Sequence, residues 1–423
     1  MERQMTQWAE AFTEYFRQGI KRVPRPWLGV EIEHFILRLD TGVAVPYVGP
    51  GGVREILRTL LDCYPEAEAL PGEDLFGFSG PEFVITLEPA AQLEISIAAT
   101  ESVAHIGEVY NGFLRNLRKV LASWSYNAFT VGCQPVSRVE DLTLIPKERY
   151  RLMDNHFART GSGGREMMRG TASVQVSIDY FSEDDFRRKM QAAYYYSPVL
   201  KLLADHATAF EGKPLTGFLK RTDIWNRVDS ARCGIVPDVF KADFGFADYA
   251  AFLGKMPPIF LPAGGENRYT GFQTVEELYR EDSLDEESLV HILSMAFPDV
   301  RLKRYLELRM ADSMPEAFML AYSALIKGAL YSREGLDFAQ ESIRAGRLTE
   351  QDIQAAESDL MARGWEAEIY GRPARETALT LLALAERNLP VEERAFLDPL
   401  HQVVRYGGIA RIPVMGGQHE DDC

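Results

Sequence analysis

Apolar residues recur along this chain with two different periods. Residues 4–19 put Trp8, Ala11, Phe12, Tyr15 and Phe16 at helical spacing, which predicts an amphipathic helix. The same spacing runs through 101–122, with Val103, Ile106, Val109, Tyr110, Phe113 and Leu117. It returns over 183–211, where Pro198 predicts a bend or break. Alternation with a period of two marks strands at 28–39, at 82–88 and 91–99 on either side of Pro89, at 128–134, at 171–180 and at 302–312. Beyond Pro315 the pattern is almost wholly helical, over 316–331, 333–345, 349–363, 374–388 and 391–405. Asp285, Thr349 and Glu350 stand where helix caps or first turns belong. The final GQHEDDC reads as a polar tail. Together these elements predict one catalytic unit over 1–423. A sheet-bearing core at 20–315 carries a helical layer at 316–423, with no Pro/Gly/Ser linker between them.

Strand residues alternate between two faces, so parity sorts the polar ones. Glu31 and Glu33 share a face of the first strand, and Glu88 ends the second. Gln92, Glu94 and Ser96 share a face of the third; Ser173, Gln175, Ser177 and Asp179 share one of the fifth. Tyr305, Glu307 and Arg309 do so in the last. One such strand reads as ordinary sheet with water on one side. Five together read differently, because a solvated face mixes charges and these faces carry acids with almost no Lys. Clustered carboxylates raise one another's pKa or require a cation. Hard divalent ions accept Glu, Asp and Gln oxygens, and Mg²⁺ usually bridges to phosphates. The acidic face is therefore a candidate site for metal and nucleotide phosphate, with Arg309 placed to meet phosphoryl oxygens.

Composition narrows the class. A net charge of -16 argues against a general binder of nucleic acid. No apolar run approaches about 18 residues, so no membrane-spanning helix is expected. The charged N-terminus has no signal-peptide core, and Cys63, Cys133, Cys233 and Cys423 fit neither a metal spacing nor a disulfide framework. A reducing, cytoplasmic setting is expected. The Gly-rich TGSGGREMMRGT (160–171) is neither a P-loop nor a dinucleotide fingerprint; it reads as a turn or as a lid in which Arg165 and Arg169 touch phosphate. RYRLMDNHF (149–157) and KRTDIWNRVDSAR (220–232) read as solvated helix faces or as carboxylate-binding segments. His34, opposite Glu31 and Glu33, is expected in the core.

Several of these segments occur as ordered blocks between about residues 27 and 315: GVEIEHF, ITLEPAAQLEIS, IPKERYRLM, GSGGREMMRGTASVQVSIDY, EGKPLTGFLKRTDIW, ARCGIVPDVF and FPDVRLKRYLELRMAD. They resemble the plant-type glutamate–cysteine ligases, which are also found in bacteria and are related to the ligase that begins ergothioneine synthesis. The resemblance implies an α+β fold like the glutamine synthetase catalytic domain, with a curved, mainly antiparallel sheet and helices on its outer face. It implies metal-ligand positions at Glu31, Glu33, Glu88, Glu94, Gln175 and Glu307, and a phosphate-contacting Arg309. Arg151, Arg221 and Trp225 fall in blocks near the substrates, and Arg165 and Arg169 in the nucleotide-side loop. The implied reaction uses ATP and Mg²⁺ or Mn²⁺ to join L-glutamate to L-cysteine through a γ-glutamyl phosphate, in a monomer or homodimer.

The sequence departs from that pattern in places. Ala90 and Ala91 replace two glycines, Met310 replaces a glycine after Arg309, and SGGREMM replaces SLGLDMM. The plant enzymes' regulatory disulfides are not expected. A different amine acceptor or acid donor, and a non-catalytic nucleotide- or glutamate-binding descendant, stay open at this point.

Overall fold

The protein is described here from a computed structural model covering residues 6–72, 74–263, 266–280 and 282–412. The GQHEDDC tail lies outside the described residues. Nine strands build the main sheet: β1 (Leu28–Arg38), β2 (Glu68–Ala69), β3 (Gly77–Ser79), β4 (Phe83–Leu87), β5 (Leu93–Thr100), β6 (Tyr126–Phe129), β7 (Ser173–Ile178), β8 (Val300–Leu302) and β9 (Leu306–Asp312). Their order is β8-β9-β7-β1-β5-β4-β3-β2, with β6 on the far half of β1, and every neighbouring pair is antiparallel.

Val30, Ile32, Ile95, Val174, Val176 and Leu308 bury their side chains on one face of the sheet. Helices α1 (Val103–Ala122), α3 (Glu183–Leu203) and α5 (Glu316–Leu330) pack against that side, with α2 (Glu148–Thr160) and α4 (Lys220–Trp225) elsewhere in the core. The later helices Arg333–Gly346, α6 (Glu350–Arg363) and Ala374–Asn388 pack on α3 and α5. His34 is enclosed in the core, as expected: Nδ1 must donate to the Leu93 carbonyl at 3.0 Å, so Nε2 accepts from the Tyr110 hydroxyl at 2.7 Å. Burial lowers its pKa to about 4, which keeps it neutral.

The structure differs from the periodicity in instructive places. The 183–211 segment is helical only to Leu203, and Pro198 does not break it. Pro198 has no N–H for the Tyr194 carbonyl, and the Ser197 hydroxyl donates to that carbonyl instead at 2.9 Å. The expected strand at 128–134 is the shorter, earlier β6, after which Cys133 makes only a single bridge to Thr171. The 391–405 segment starts as a 3₁₀ turn, Val391–Leu397, before the helix Asp398–Tyr406 with Pro399 in its first turn. The Gly-rich segment contains a short helix, Gly164–Gly170. Ala91 adopts φ of +66°, so the β4–β5 turn keeps a glycine-type conformation without glycine.

Candidate functional site

Strand register brings the acids together. In β1, Glu31 stands opposite Gln175 of β7, and Glu33 stands directly opposite Glu94 of β5. Like charges in that position destabilise a sheet. With Glu88, just beyond β4, they line a cavity of about 440 Å³ on the polar face. Burial and the Glu88 charge push Glu33 up to about 7, against Arg221 and the Ser173 hydrogen bonds. Burial, then Glu31, Glu88 and Glu33, raise Glu94 well above the usual range. Burial and Glu307 raise Glu31, outweighing Lys303, Arg309 and Arg301. Protein groups satisfy these acids only in part. Glu33 accepts from the Ser173 N–H at 2.9 Å and its hydroxyl at 2.8 Å, and Glu94 accepts from the Thr86 hydroxyl at 2.9 Å.

Glu307, also expected among the ligand positions, has a different environment. Its side chain is fully buried. Arg301 donates to it through Nε at 2.7 Å, Lys303 through Nζ at 2.8 Å and Arg309 through Nη1 at 2.9 Å. Burial alone would raise this carboxyl, but the three cations outweigh it and hold it below the usual range. Both oxygens are already engaged, so Glu307 serves as counter-ion to a basic cluster on β8 and β9. Arg309 Nη1 also donates to Gln175 Oε1.

That arginine sits on a bulge. Leu308 pairs with Val176 and Ala311 with Val174, so β9 carries one extra residue there. The extra residue turns Asp312 onto the polar side, beside Ser173 and within reach of the Arg221 charge. Arg221 and Trp225, both on α4, line the same cavity. Among the described residues, Arg221 Nε, Trp225 Nε1 and Arg309 Nε are buried donors with no acceptor. Such orphans are rare in folded proteins and call for a ligand atom or a water.

Glu31, Glu33, Glu88, Glu94, Gln175, Arg221, Trp225 and Arg309 therefore share one cavity. Arg151, Arg165 and Arg169 do not line it. Arg151 is exposed and pairs with Glu148 on the outer side of α2, at 3.3 Å. Arg165 is also exposed, 3.7 Å from Asp154. Arg169 donates through its terminal nitrogens to Asp154 at 2.8 Å and the Leu142 carbonyl at 2.9 Å. Residues not singled out as site residues line the cavity as well: Arg149, Tyr150, Arg301, Lys303 and Tyr305. The odd-numbered run Arg301, Lys303, Tyr305, Glu307 carried the signal for three of them, because a hairpin with period-two alternation puts all four on one face.

Among the described residues, no three His, Cys, Asp or Glu side chains already form a coordination cage. The donor set nevertheless suits a hard divalent cation. Four carboxylates share one cavity, three of them strained by burial and by one another, and one amide oxygen adjoins them. Mg²⁺ is normally held by one or two carboxylates plus substrate phosphates, so a complete protein cage is not required.

Comparison with known proteins agrees with the geometry. A family profile described as Glutamate-cysteine ligase family 2 matches residues 27–411. The chain is 29% identical over 411 residues to the chloroplastic glutamate–cysteine ligase of Arabidopsis thaliana, covering 94% of this chain and 77% of that protein. It is 28% identical to the chloroplastic glutamate–cysteine ligase A of Oryza sativa subsp. indica, with 94% and 82% covered. Among solved structures, it is similar in fold to the glutamate–cysteine ligase of Francisella tularensis in complex with AMP. The TM-score there is 0.55 at 10% identity, covering 92% of this chain and 83% of that one.

Proposed function

We propose that this chain, which belongs to glutamate-cysteine ligase family 2, uses ATP to join the γ-carboxylate of L-glutamate to the amine of L-cysteine. A carboxylate oxygen of glutamate bonds to the γ-phosphorus of ATP as the bond to ADP breaks, giving γ-glutamyl phosphate. The cysteine amine then bonds to the acyl carbon, phosphate leaves with the bonding electrons, and the amine proton passes to it. No side-chain nucleophile is needed, so the protein's task is positioning and electrostatics. Arg301, Lys303 and Arg309 present a basic edge to the phosphates, and Glu307 holds them there. Arg221 and Trp225 offer free N–H donors to a substrate carboxylate. Met153, Met167 and Met168 supply an apolar wall suited to a small sulfur-bearing side chain. Glu31, Glu33, Glu88, Glu94 and Gln175 would hold Mg²⁺ or Mn²⁺, which when bound neutralises phosphate charge.

One observation carries this reading: uncompensated acids and acceptor-less N–H donors face the same cavity. A cation-bound polyphosphate together with an amino-acid carboxylate satisfies both. We infer that the helical layer is part of the same unit, because its helices pack on α3 and α5. No helix among the described residues is long and apolar enough to cross a membrane. Among the described residues Cys63, Cys133 and Cys233 form no disulfide, which supports a reducing, cytoplasmic setting for this chain, whereas the plant relatives are chloroplastic by name.

The test is ADP release with ATP and Mg²⁺, given glutamate alone, cysteine alone, both, or glutamate with a panel of other amines, with mass spectrometry of the product. Release that requires both amino acids and yields γ-glutamylcysteine establishes the reaction. Release with another amine moves the acceptor. Mg²⁺-dependent nucleotide binding with no release under any combination replaces the ligase with a binding protein.

A further inference from the structure

Behind the catalytic face, three charged side chains from separate parts of the chain meet in the interior. Lys201 of α3 donates to Asp299 at 2.8 Å and to Glu357 of α6 at 2.6 Å. The Lys201 and Glu357 side chains are 3% and 4% exposed. Asp299 precedes β8 and is fixed at its backbone too, its N–H donating to the Gly234 carbonyl at 2.9 Å. Its own carbonyl accepts the Arg309 N–H, also at 2.9 Å. Arg309 lies within the β9 bulge, where pairing to β7 lapses between Leu308 and Ala311. On that stretch of β9 the Asp299 carbonyl is what holds the Arg309 main chain. Lys201, Asp299, Arg309, Arg221 and Trp225 also line one small cavity just behind the main one.

We infer that Lys201, clamped between Asp299 and Glu357, is a positioning residue for Arg309. It anchors Asp299, Asp299 anchors the bulge, and the bulge sets where the guanidinium meets the transferring phosphoryl group. Nothing in the proposed chemistry uses Lys201 directly, and a lysine with two acids is a costly way to fill a core unless it fixes a geometry. The clamp also ties the helical layer, through α6, to the basic edge of the site. The inference rests on the phosphoryl-facing role proposed for Arg309.

The experiment is a kinetic double-mutant cycle on the full chain. Lys201→Met/Glu357→Met removes the cation and one of its two acids, and leaves the Asp299 side chain, 16% exposed, without its partner. Expected is an at least tenfold lower kcat, with KM for ATP and glutamate within about threefold, since a displaced Arg309 weakens transition-state rather than ground-state contacts. Lys201→Arg, which can keep both ion pairs, is expected to recover kcat to within about threefold. In an Arg309→Ala background the same pair of substitutions should add almost nothing. Wild-type kcat in the double variant overturns the inference, as does an equal fractional loss with or without Arg309, which is what general destabilisation produces. If the double variant does not fold, Asp299→Asn carries the same comparison. If Arg309→Ala alone leaves kcat unchanged, the role assigned to Arg309 fails, and the inference falls with it for that separate reason.

Discussion

Glu94→Gln separates a functional acidic face from a merely polar one, because the two accounts predict opposite signs for stability. Glu94 is buried directly opposite Glu33, and burial together with three neighbouring acids raises its pKa well above 4.5. A raised carboxyl pKa costs the folded state stability as pH climbs above the unfolded value. At pH 7 the cost cannot exceed the free energy of protonating a group of pKa 4.5, about 3 kcal/mol. Gln removes that cost and keeps the acceptor for the Thr86 hydroxyl, which lies 2.9 Å from Glu94. The metal-free variant should therefore melt at or above the wild type. For a chain of this length the gain is at most about 4 °C, from roughly 2 cal/mol/K of unfolding entropy per residue. Its ATP turnover should fall at least about 100-fold, since even residues one shell out from a metal cost 10- to 100-fold. Glu307→Gln is the control with the other sign. It strips three cations of their shared negative charge and should lower stability by about 3–5 kcal/mol. The assays are calorimetry in chelator and steady-state ADP release. A Glu94→Gln protein that melts lower and turns over normally would show Glu94 to be a structural partner of Thr86, and the argument from uncompensated charge would be wrong.

Arg221→Gln removes the buried guanidinium whose Nε lacks an acceptor, and should raise KM for the amino-acid substrate about 10- to 100-fold, the worth of a charged hydrogen bond; an unchanged KM would release Arg221 from that role. Burial alone would raise Asp229, but His156 and Arg232 draw it down to about 2. A lowered acid adds stability that is complete above its unfolded value of 3.8 and lost as pH falls through 2, so Asp229→Asn should abolish about 2 kcal/mol of the acid-induced loss in that window. Parallel unfolding curves for the two proteins between pH 4 and 2 would refute it. Ala91→Gly relieves a left-handed φ of +66° and should stabilise the chain by about 1 kcal/mol, read from denaturant midpoints at constant slope; a destabilised variant would mean the methyl group packs favourably enough to outweigh the strain.

The acidic face was legible because strand parity is a discrete property. Glu31, Glu33, Glu94 and Gln175 need only the period of two to share a face, and antiparallel register then brings them together. Helix-borne arginines offered no such constraint. Arg149 and Arg151 are two residues apart on α2, so they point some 200° apart, and only packing decides which faces the cavity. Arg149 does, with Tyr150 and Met153, while Arg151 reaches solvent. Pro198 misled for a related reason: the rule that proline breaks helices assumes an orphaned carbonyl, and the residue beside it supplied the missing donor.

Glu307 shows where single-strand reasoning ends. On its own strand it is one more acid in the series, but Arg301 pairs with it across the hairpin and Lys303 and Arg309 close on its oxygens. The polar face thus splits into two electrostatic halves. The β1–β5 side holds carboxylates short of positive charge, and the β8–β9 side holds three cations sharing one carboxylate. Arg309 bonds to both halves, through Gln175 and Glu307, and retains a buried Nε with no acceptor. A ligand carrying only positive charge would satisfy the first half and oppose the second; a lone anion would do the reverse. A polyphosphate arriving with its divalent cation matches the face as it stands, with Arg309 at the boundary between its two halves.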